Sequence, residues 1–459
     1  MNEALFGKRL KASGLWAAVG RILSGVFLLV LHGVLARGLS GEDYGRYVLI
    51  ESLALLLSIV CLAGVPAVVL RMIKAKLVSD DHAGAVELVF SAFALLAGTS
   101  LFTIGTTIAI SQLSGTSLPG GLSWQWMPWF AGWALLAAGL RLLSEVYRGY
   151  DRFSWGYCVG GQSGGLAVNA CLLAFSVIGV VCEWMTLQMM LVIQIVVQLF
   201  FLALSSAELG RQLSGFPKRS RLVSIRVLLM SAWPLLVAQL VSVGLPEIGK
   251  LMLGAYVTPE STGFYNAALR LVVLAHVPLM VVNNAIQPFV AELHSAGDRK
   301  RLVTLLRGSA TLAAVPSVLV LGTFLIFPEN VLEFAFGARF VAAAPALRIL
   351  SLGSLVWVLS GSCGLVLMMT GHERSCMLGT LLPGVVYLVL CSVVIEEWGI
   401  IGAAACSSAL QFASNVLCVL LVFYHQRMWT VVTLSMPVVL ECCSFVRKRR
   451  TASADESTS

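Results

Sequence analysis

The side chains able to do chemistry in this chain are few, and most of them stand inside long apolar stretches. Arg21 and His32 fall in the first such stretch, Glu51 in the second with Arg46 at its mouth, Gln239 and Lys250 in the seventh, and Asn266, Arg270, His276 and Asn284 in the eighth. A guanidinium is a planar, permanently charged donor that grips carboxylate or phosphate oxygens two at a time. Placing one at mid-membrane costs about 2.5 to 3.5 kcal/mol on insertion scales, so each ionisable residue there reads by default as functional. Imidazole takes up and releases a proton near neutral pH, which makes His32 and His276, with the acid Glu51, the residues that a coupling role would use. Plainer roles compete with these. Arg21 and Arg270 each lie about two turns from a helix end, within snorkelling reach of the headgroups. Lys250 and Glu247 stand one turn apart and suit a local ion pair. Both histidines suit hydrogen-bonded core positions.

Helical spacing gathers the polar residues into stripes. Arg21, Gly25, Leu28 and His32 share one face of the first helix, and Tyr47, Glu51 and Ser58 share one face of the second. Gln239, Ser242, Pro246 and Lys250 line the seventh, and Asn266, Arg270, Val277, Asn284 and Pro288 line the eighth.

The elements that must position them follow from composition. The 459 residues are 58% hydrophobic and 12% charged, with a mean hydropathy of +0.89, whereas soluble domains carry roughly 25% charged residues. Apolar stretches of about 20 residues, enough to span a bilayer, recur to about Tyr424, with centres near 25, 58, 97, 137, 169, 194, 237, 275, 315, 356, 386 and 411. The expected fold is therefore an all-α polytopic membrane protein of about twelve transmembrane helices. The first stretch follows Lys8, Arg9 and Lys11 but is too long for a signal peptide and carries Arg21. The 11 cysteines lie mostly in apolar stretches, so no disulfide framework is expected.

Lys and Arg alternate between the loops. One side holds Lys8, Arg9, Lys11, Arg71, Lys74, Lys76, Arg148, Arg152, Arg211, Lys218, Arg219, Arg221, Arg299, Lys300, Arg301, Arg374 and Arg427, while the other holds only Arg37, Arg46, Lys250 and Arg339. By the positive-inside rule the rich side is the cytoplasm, which places both termini there. Trp124, Trp126, Trp129 and Trp133 on one side, and Tyr147, Tyr150, Phe153 and Trp155 on the other, read as interfacial belts. Trp429 to Val446 contains Pro437 and Glu441 and reads as an interfacial or re-entrant helix, followed by a small, polar and disordered tail.

The chain also carries a repeat. Glu42-Asp43-Tyr44-Gly45-Arg46-Tyr47 before the second helix returns as Glu260-Ser261-Thr262-Gly263-Phe264-Tyr265 before the eighth, and the same offset carries Ser79-Asp80 onto Gly297-Asp298. Two markers in phase argue for duplication into two parallel six-helix lobes, an arrangement that transporters use with substrate between the halves. The expected organisation is an N-terminal lobe over 1–206, a cytoplasmic linker over 207–227, a C-terminal lobe over 228–426, and an extra helix with a basic tail over 427–459. Gly160-Gly161-Gln162-Ser163-Gly164-Gly165 in the fifth helix holds two small-xxx-small spacings, which predict close helix packing or a hinge.

These residues resemble the polysaccharide flippases, Wzx-like, of the multidrug/oligosaccharidyl-lipid/polysaccharide exporter superfamily. The resemblance covers nearly the whole chain and rests on the order of several loose patterns. They are Leu35-Ala36-Arg37-Gly38-Leu39-Ser40-Gly41 running into Glu42–Tyr47, Gly64-Val65-Pro66-Ala67, Tyr265-Asn266-Ala267-Ala268-Leu269-Arg270, Pro288 with Gly297-Asp298, and Phe336-Gly337-Ala338-Arg339-Phe340. It implies two six-helix lobes forming a V, alternating access, and cargo made of an undecaprenyl-pyrophosphate-linked oligosaccharide of the O-antigen (lipopolysaccharide) or exopolysaccharide type. The implied location is the bacterial inner membrane, with lipids and other polysaccharide-assembly membrane proteins as partners. It further implies cavity arginines in the first, second and eighth helices. Arg21 and Arg270 match two of these, whereas the charge within the second helix is Glu51 and Arg46 lies only at its mouth. A drug or cation exporter of the same superfamily would instead centre on an acid such as Glu51. A polysaccharide polymerase or ligase would need a large outside loop that this chain does not offer.

No phosphate-cradling G-x-x-x-x-G-K-[ST] loop, metal-ligand cluster or nucleophile elbow occurs, so no cofactor and no enzymatic activity are expected. Energy would come from H+ or Na+, from membrane potential or from consumption of cargo. The net charge of +8 is spread over short loops and the tail, which anionic lipid explains without a nucleic-acid partner.

Overall fold

A computed structural model describes residues 3–114, 122–160, 164–213 and 225–432. The chain is an all-α polytopic membrane protein, with no strand among the described residues. Its helices are α1 (Glu3–Gly38), α2 (Gly41–Leu62), α3 (Val65–Val78), α4 (His82–Ser114), α5 (Met127–Gly149), α6 (Phe153–Val159), α7 (Leu166–Val181) and α8 (Leu187–Leu213). There follow α9 (Ile225–Gln239), α10 (Leu245–Tyr256), α11 (Pro259–Ser295), α12 (Arg299–Ile326), α13 (Pro328–Phe336), α14 (Ala344–Ser360), α15 (Cys363–Met369) and α16 (Glu373–Gln426).

Among the described residues nine helical segments are long and apolar enough to cross a membrane, and Ile22–Gly38 and Leu166–Val181 are shorter apolar helices. One of the nine, α16, joins two helices at Gly399, whose φ of 53° and ψ of −126° leave the helical region. Each of the twelve expected centres thereby falls on a helix.

Several of these helices are broken where the sequence dictates. Ala63 and Gly64 both adopt positive φ between α2 and α3, and Pro66 opens α3. A Cβ at Gly64 would overlap the Ala232 carbonyl and crowd the Leu236 nitrogen of α9, so only glycine fits the approach. Between α9 and α10 the chain widens into a π-helical turn over Leu240–Gly244. Pro246 lacks an N–H and its ring would clash with the carbonyl four residues back, and a wider turn relieves that clash.

The glycine run of the fifth stretch interrupts its helix and also allows a close approach to α5, since a Cβ at Gly160 would lie 2.5 Å from the Leu140 carbonyl. Gly160, Gly164 and Gly165 are non-helical and separate α6 from α7. The carbonyls freed at the end of α6 find a donor in Ser144, whose Oγ donates to Gly156 O at 2.8 Å and to Gly160 O at 3.1 Å. The aromatic belts need correction too. Trp133 and Tyr147 are buried rather than interfacial, because both fall on the inward face of α5. Tyr147 donates to Ser205 O at 2.7 Å there.

The chain divides into two compact units, one of Val19–Asn266 with Ala335–Arg339 and one of Met1–Ala18 with Ala267–Phe334 and Phe340–Ser459. In the first, α2 packs on α5 and α10, α3 packs on α4, α5 and α9, and α5 packs on α8. Its core includes Val68, Leu88, Leu142, Val146, Leu209 and Leu228. In the second, α14 packs on α12 and α16 and α15 packs on α16, over a core that includes Val290, Leu305, Val366, Leu367 and Val422.

The repeat reappears in the element boundaries. At the offset that carries Glu42 onto Glu260, the end of α1 at Gly38 maps to the end of α10 at Tyr256, and the start of α2 at Gly41 maps to the start of α11 at Pro259. The caps match as well. The Ser40 side chain accepts from Asp43 N at 3.0 Å, and Thr258 Oγ1 accepts from Ser261 N at 3.2 Å.

Candidate functional site

The start of α2 builds the site. With Ser40 as its cap, Tyr44, Tyr47 and Glu51 fall at helical spacing on one face. Gly45 and Gly263, equivalent by the repeat, let the starts of α2 and α11 cross closely. A Cβ on Gly45 would overlap the Pro259 carbonyl, and one on Gly263 would lie 2.9 Å from Tyr44 Cδ1. That crossing brings Asn266 of α11 beside Tyr44. The third helix, α1, is also held close. A Cβ at Gly33 would meet the Ala335 carbonyl, and Ser24 donates to Gly164 O at 3.0 Å and accepts from Asn169 Nδ2 at 2.9 Å. At the end of α1, Arg339 donates to Leu39 O at 3.4 Å, which supplies a donor to a carbonyl beyond the helix terminus.

His32 of α1 completes the group. Its Nδ1 lies 3.2 Å from Tyr44 Oη and 3.4 Å from Asn266 Nδ2, and Asn266 Nδ2 donates to Tyr44 Oη at 3.3 Å. On the other edge of the ring, His32 Nε2 lies 3.5 Å from Glu51 Oε1. Tyr47 packs edge-on to the imidazole at 6.0 Å and against Trp133 of α5 at 5.7 Å. His32, Tyr44, Tyr47 and Asn266 are essentially solvent-free, whereas the Glu51 side chain keeps 14% exposure. The group is thus a buried polar network of one imidazole, one phenol, one amide and one carboxylate, with the carboxylate at its open end.

The remaining residues singled out by sequence lie elsewhere. Lys250 of α10 is buried and pairs with Glu247 at 2.5 Å. Gln239 ends α9 just before the π-helical turn and is half-buried. Arg46 is half-buried and pairs with Glu42 at 2.5 Å and Asp43 at 3.6 Å, which directs its charge to the head of its own helix. Arg21 lies on α1 with its side chain outside the described residues. In the second unit, Arg270 is half-buried on α11, His276 packs on Trp357 at 4.3 Å, and Asn284 is exposed. Within the first unit, then, His32, Glu51 and Asn266 come together, and Arg46 and the Lys250–Glu247 pair form their own contacts.

Sequence reading missed Tyr44 as a site residue, though Tyr44 stands three residues before Tyr47 and seven before Glu51 on the same stripe. It also missed Asn283, which accepts from Ser362 Oγ at 2.5 Å at the break between α14 and α15. A cavity of about 950 Å³ between α14 and α16 is walled by Leu352, Val356, Leu382, Val386 and Phe412, and offers little to a charged group. No group of three or more His, Cys, Asp or Glu suited to a metal occurs among the described residues.

A lipid II flippase, MurJ, in an inward closed conformation matches 93% of this chain and 89% of its own at 12% identity, with a TM-score of 0.66. A multidrug resistance MATE family transporter of the MOP superfamily, in an inward-facing conformation, matches 86% of this chain and 93% of its own at 14% identity and a TM-score of 0.64. The chain has the fold of these transporters. By sequence, a probable low-salt glycan biosynthesis flippase of Haloferax volcanii is 24% identical over 166 residues, or 36% of this chain and 35% of that protein. The match therefore spans about a third of the length of that relative. No family model matches the chain. Each of the three similar proteins is named a flippase or a transporter rather than an enzyme.

Proposed function

We propose that this protein is a flippase of the Wzx type, which carries an undecaprenyl-pyrophosphate-linked oligosaccharide, an O-antigen or exopolysaccharide repeat unit, across the bacterial inner membrane by alternating access. The observation that carries the reading is the fold held in common with the lipid II flippase over 93% of the chain, joined by the segment of likeness to a glycan biosynthesis flippase. Both termini face the cytoplasm in this reading, and no enzymatic step is involved. Arg21 and Arg270 supply guanidinium donors to the pyrophosphate, which otherwise crosses hydrocarbon with its charge unpaired. Asn284 and Gln239 are neutral polar contacts for the headgroup, whereas Asn266, one turn before Arg270 on α11, is buried against Tyr44 and His32 and supports the helix crossing instead. Arg46 serves as an entry charge rather than a cavity ligand, given its local ion pairs.

The deciding experiment is Arg270→Ala in the native host. Surface glycan is lost while the protein remains in the membrane at wild-type level. Unchanged glycan display removes Arg270 from the mechanism. A second reading, a cation-coupled multidrug exporter, is favoured by the match to the MATE transporter and by an acid, Glu51, that stays partly exposed inside a helix. Drug resistance of an overexpressing strain that disappears with Glu51→Gln would establish it in place of the first.

A further inference from the structure

We propose that Trp357 of α14 and Asn284 of α11, both in the second unit, form a subsite for an uncharged sugar ring of the cargo. The proposal rests on the flippase reading for what the cargo is, and deepens it by giving the carbohydrate portion a place apart from the guanidinium donors.

Two contacts lay α14 along α11. His276 packs on Trp357 at 4.3 Å, a contact that any flat ring of that size supplies, and two turns further on Asn283 accepts from Ser362 Oγ at 2.5 Å. His276, Met280, Asn283, Asn284 and Gln287 share one side of α11 by helical spacing. Structural polar contacts on these helices are closed, as with Ser354, which donates to Gln411 Oε1 at 3.2 Å, and Ser362 with Asn283. Trp357 and Asn284 differ. Among the described residues neither the indole N–H nor the Asn284 amide makes a hydrogen bond, and the indole is half-buried while the amide is exposed. Gln287, one turn on, reaches only the Met369 sulfur at 3.8 Å. Asn284 closes the apolar span Pro259–Asn284, where an amide without a partner is costly unless it faces water or a polar ligand.

Charge and shape select the ligand. No Asp, Glu, Lys or Arg occurs from Leu271 to Ala291 or from Ile349 to His372, so these stretches offer no fixed charge to a pyrophosphate. An Asn amide carries two donors and an acceptor in one plane, which matches a pair of neighbouring ring hydroxyls, each able to donate and accept. An indole presents an apolar face with one N–H at its edge, and a pyranose presents a face of C–H bonds rimmed by hydroxyls. A neutral sugar therefore satisfies both groups at once, whereas an acyl chain leaves the amide and the indole N–H unpaired. From His276 to Gln287 the stripe runs about 16 Å, room for more than one ring.

Binding to the full-length protein in lipid nanodiscs tests the site. One probe is farnesyl diphosphate, and the others are farnesyl diphosphate bearing one N-acetylglucosamine, glucose or galactose. At least one sugar raises affinity about 10-fold over farnesyl diphosphate, the effect of one stacked ring and one hydrogen bond. Trp357→Ala and Asn284→Ala each remove most of that gain, and Trp357→Phe, which keeps a flat face, retains part of it. Farnesyl diphosphate still bound by Trp357→Ala shows that the loss is not one of folding. A wild-type protein that gains from no sugar, or a gain as large in both alanine variants, overturns the proposal. The subsite and the wider reading fail separately. Farnesyl diphosphate bound without any sugar gain removes the subsite and leaves the flippase reading. A sugar gain kept in Arg270→Ala, with farnesyl diphosphate binding unchanged there, removes Arg270 from the pyrophosphate and leaves the subsite standing.

Discussion

Lys250 illustrates how burial changes the meaning of a charge. Sequence placed it at the outer rim, one turn from Glu247, where an exposed pair would contribute little. Buried at 3% exposure and 2.5 Å from Glu247, it cannot lose its partner cheaply. Lys250→Met should lower stability by about 2 to 4 kcal/mol, since it strands a largely enclosed carboxylate that keeps 12% exposure, and the double change with Glu247→Leu should recover most of it. Thermal unfolding of the detergent-solubilised protein reads both values. A single and a double variant with equal losses would show that the pair does not act as a unit. His276 belongs to the same scale. Packed on Trp357 at 4.3 Å, with its buried Nε2 lacking a hydrogen-bond partner among the described residues, it departs from the hydrogen-bonded core position expected of it, and we expect His276→Phe to leave surface glycan, read by whole-cell staining, at the wild-type level.

Among the elements, the starts of α2 and α11 matter most. Their sequence likeness, an acid followed by glycine and tyrosine, encodes the crossing itself: the glycines allow backbone approach and Tyr44, Tyr47 and Tyr265 fill the space around it. Gly45→Val and Gly263→Val should each cost about 1 to 3 kcal/mol through overpacking, with Gly45 the more severe because the obstacle is the Pro259 backbone rather than a side chain. Gly98→Ala in α4, where a Cβ meets nothing within 4 Å, should instead stabilise by about 0.5 to 1 kcal/mol through helix propensity alone. A thermal shift series over the three variants reads the ranking, and destabilisation by Gly98→Ala equal to that by Gly45→Val would show that the crossing is not special.

For the whole molecule the testable quantity is orientation. The distribution of Lys and Arg predicts that reporter fusions near residues 1, 220 and 455 are cytoplasmic and that one near 117 is outside. Termini found on opposite faces would remove the even number of spans and, with it, the parallel relation of the two halves on which the transport reading depends. The fold held in common with two transporter structures over most of the chain leaves such orientation open, because a fold has no side until charge assigns one.

Sequence by itself determined the class of the protein and the position of its helices. Hydrocarbon imposes a local requirement, about 20 apolar residues per span, so every expected centre falls on a helix and the repeat reappears at its offset. Chemistry within one helix was legible for the same reason, as with Tyr47 and Glu51 at helical spacing. Only tertiary structure decided which stripes meet. His32 and Asn266 are 234 residues apart, and no periodicity within either helix encodes their contact. Trp133 and Tyr147 were read as belts because an amphipathic aromatic suits an interface and a core equally. Gly160 to Gly165 were read as serving close packing or a hinge because one spacing suits both, and at Gly160 the structure shows the helix break together with a close approach to the Leu140 carbonyl of α5. Contact between distant side chains is a property of the crossing of helices, and that crossing is set by packing across the whole bundle rather than by any one segment.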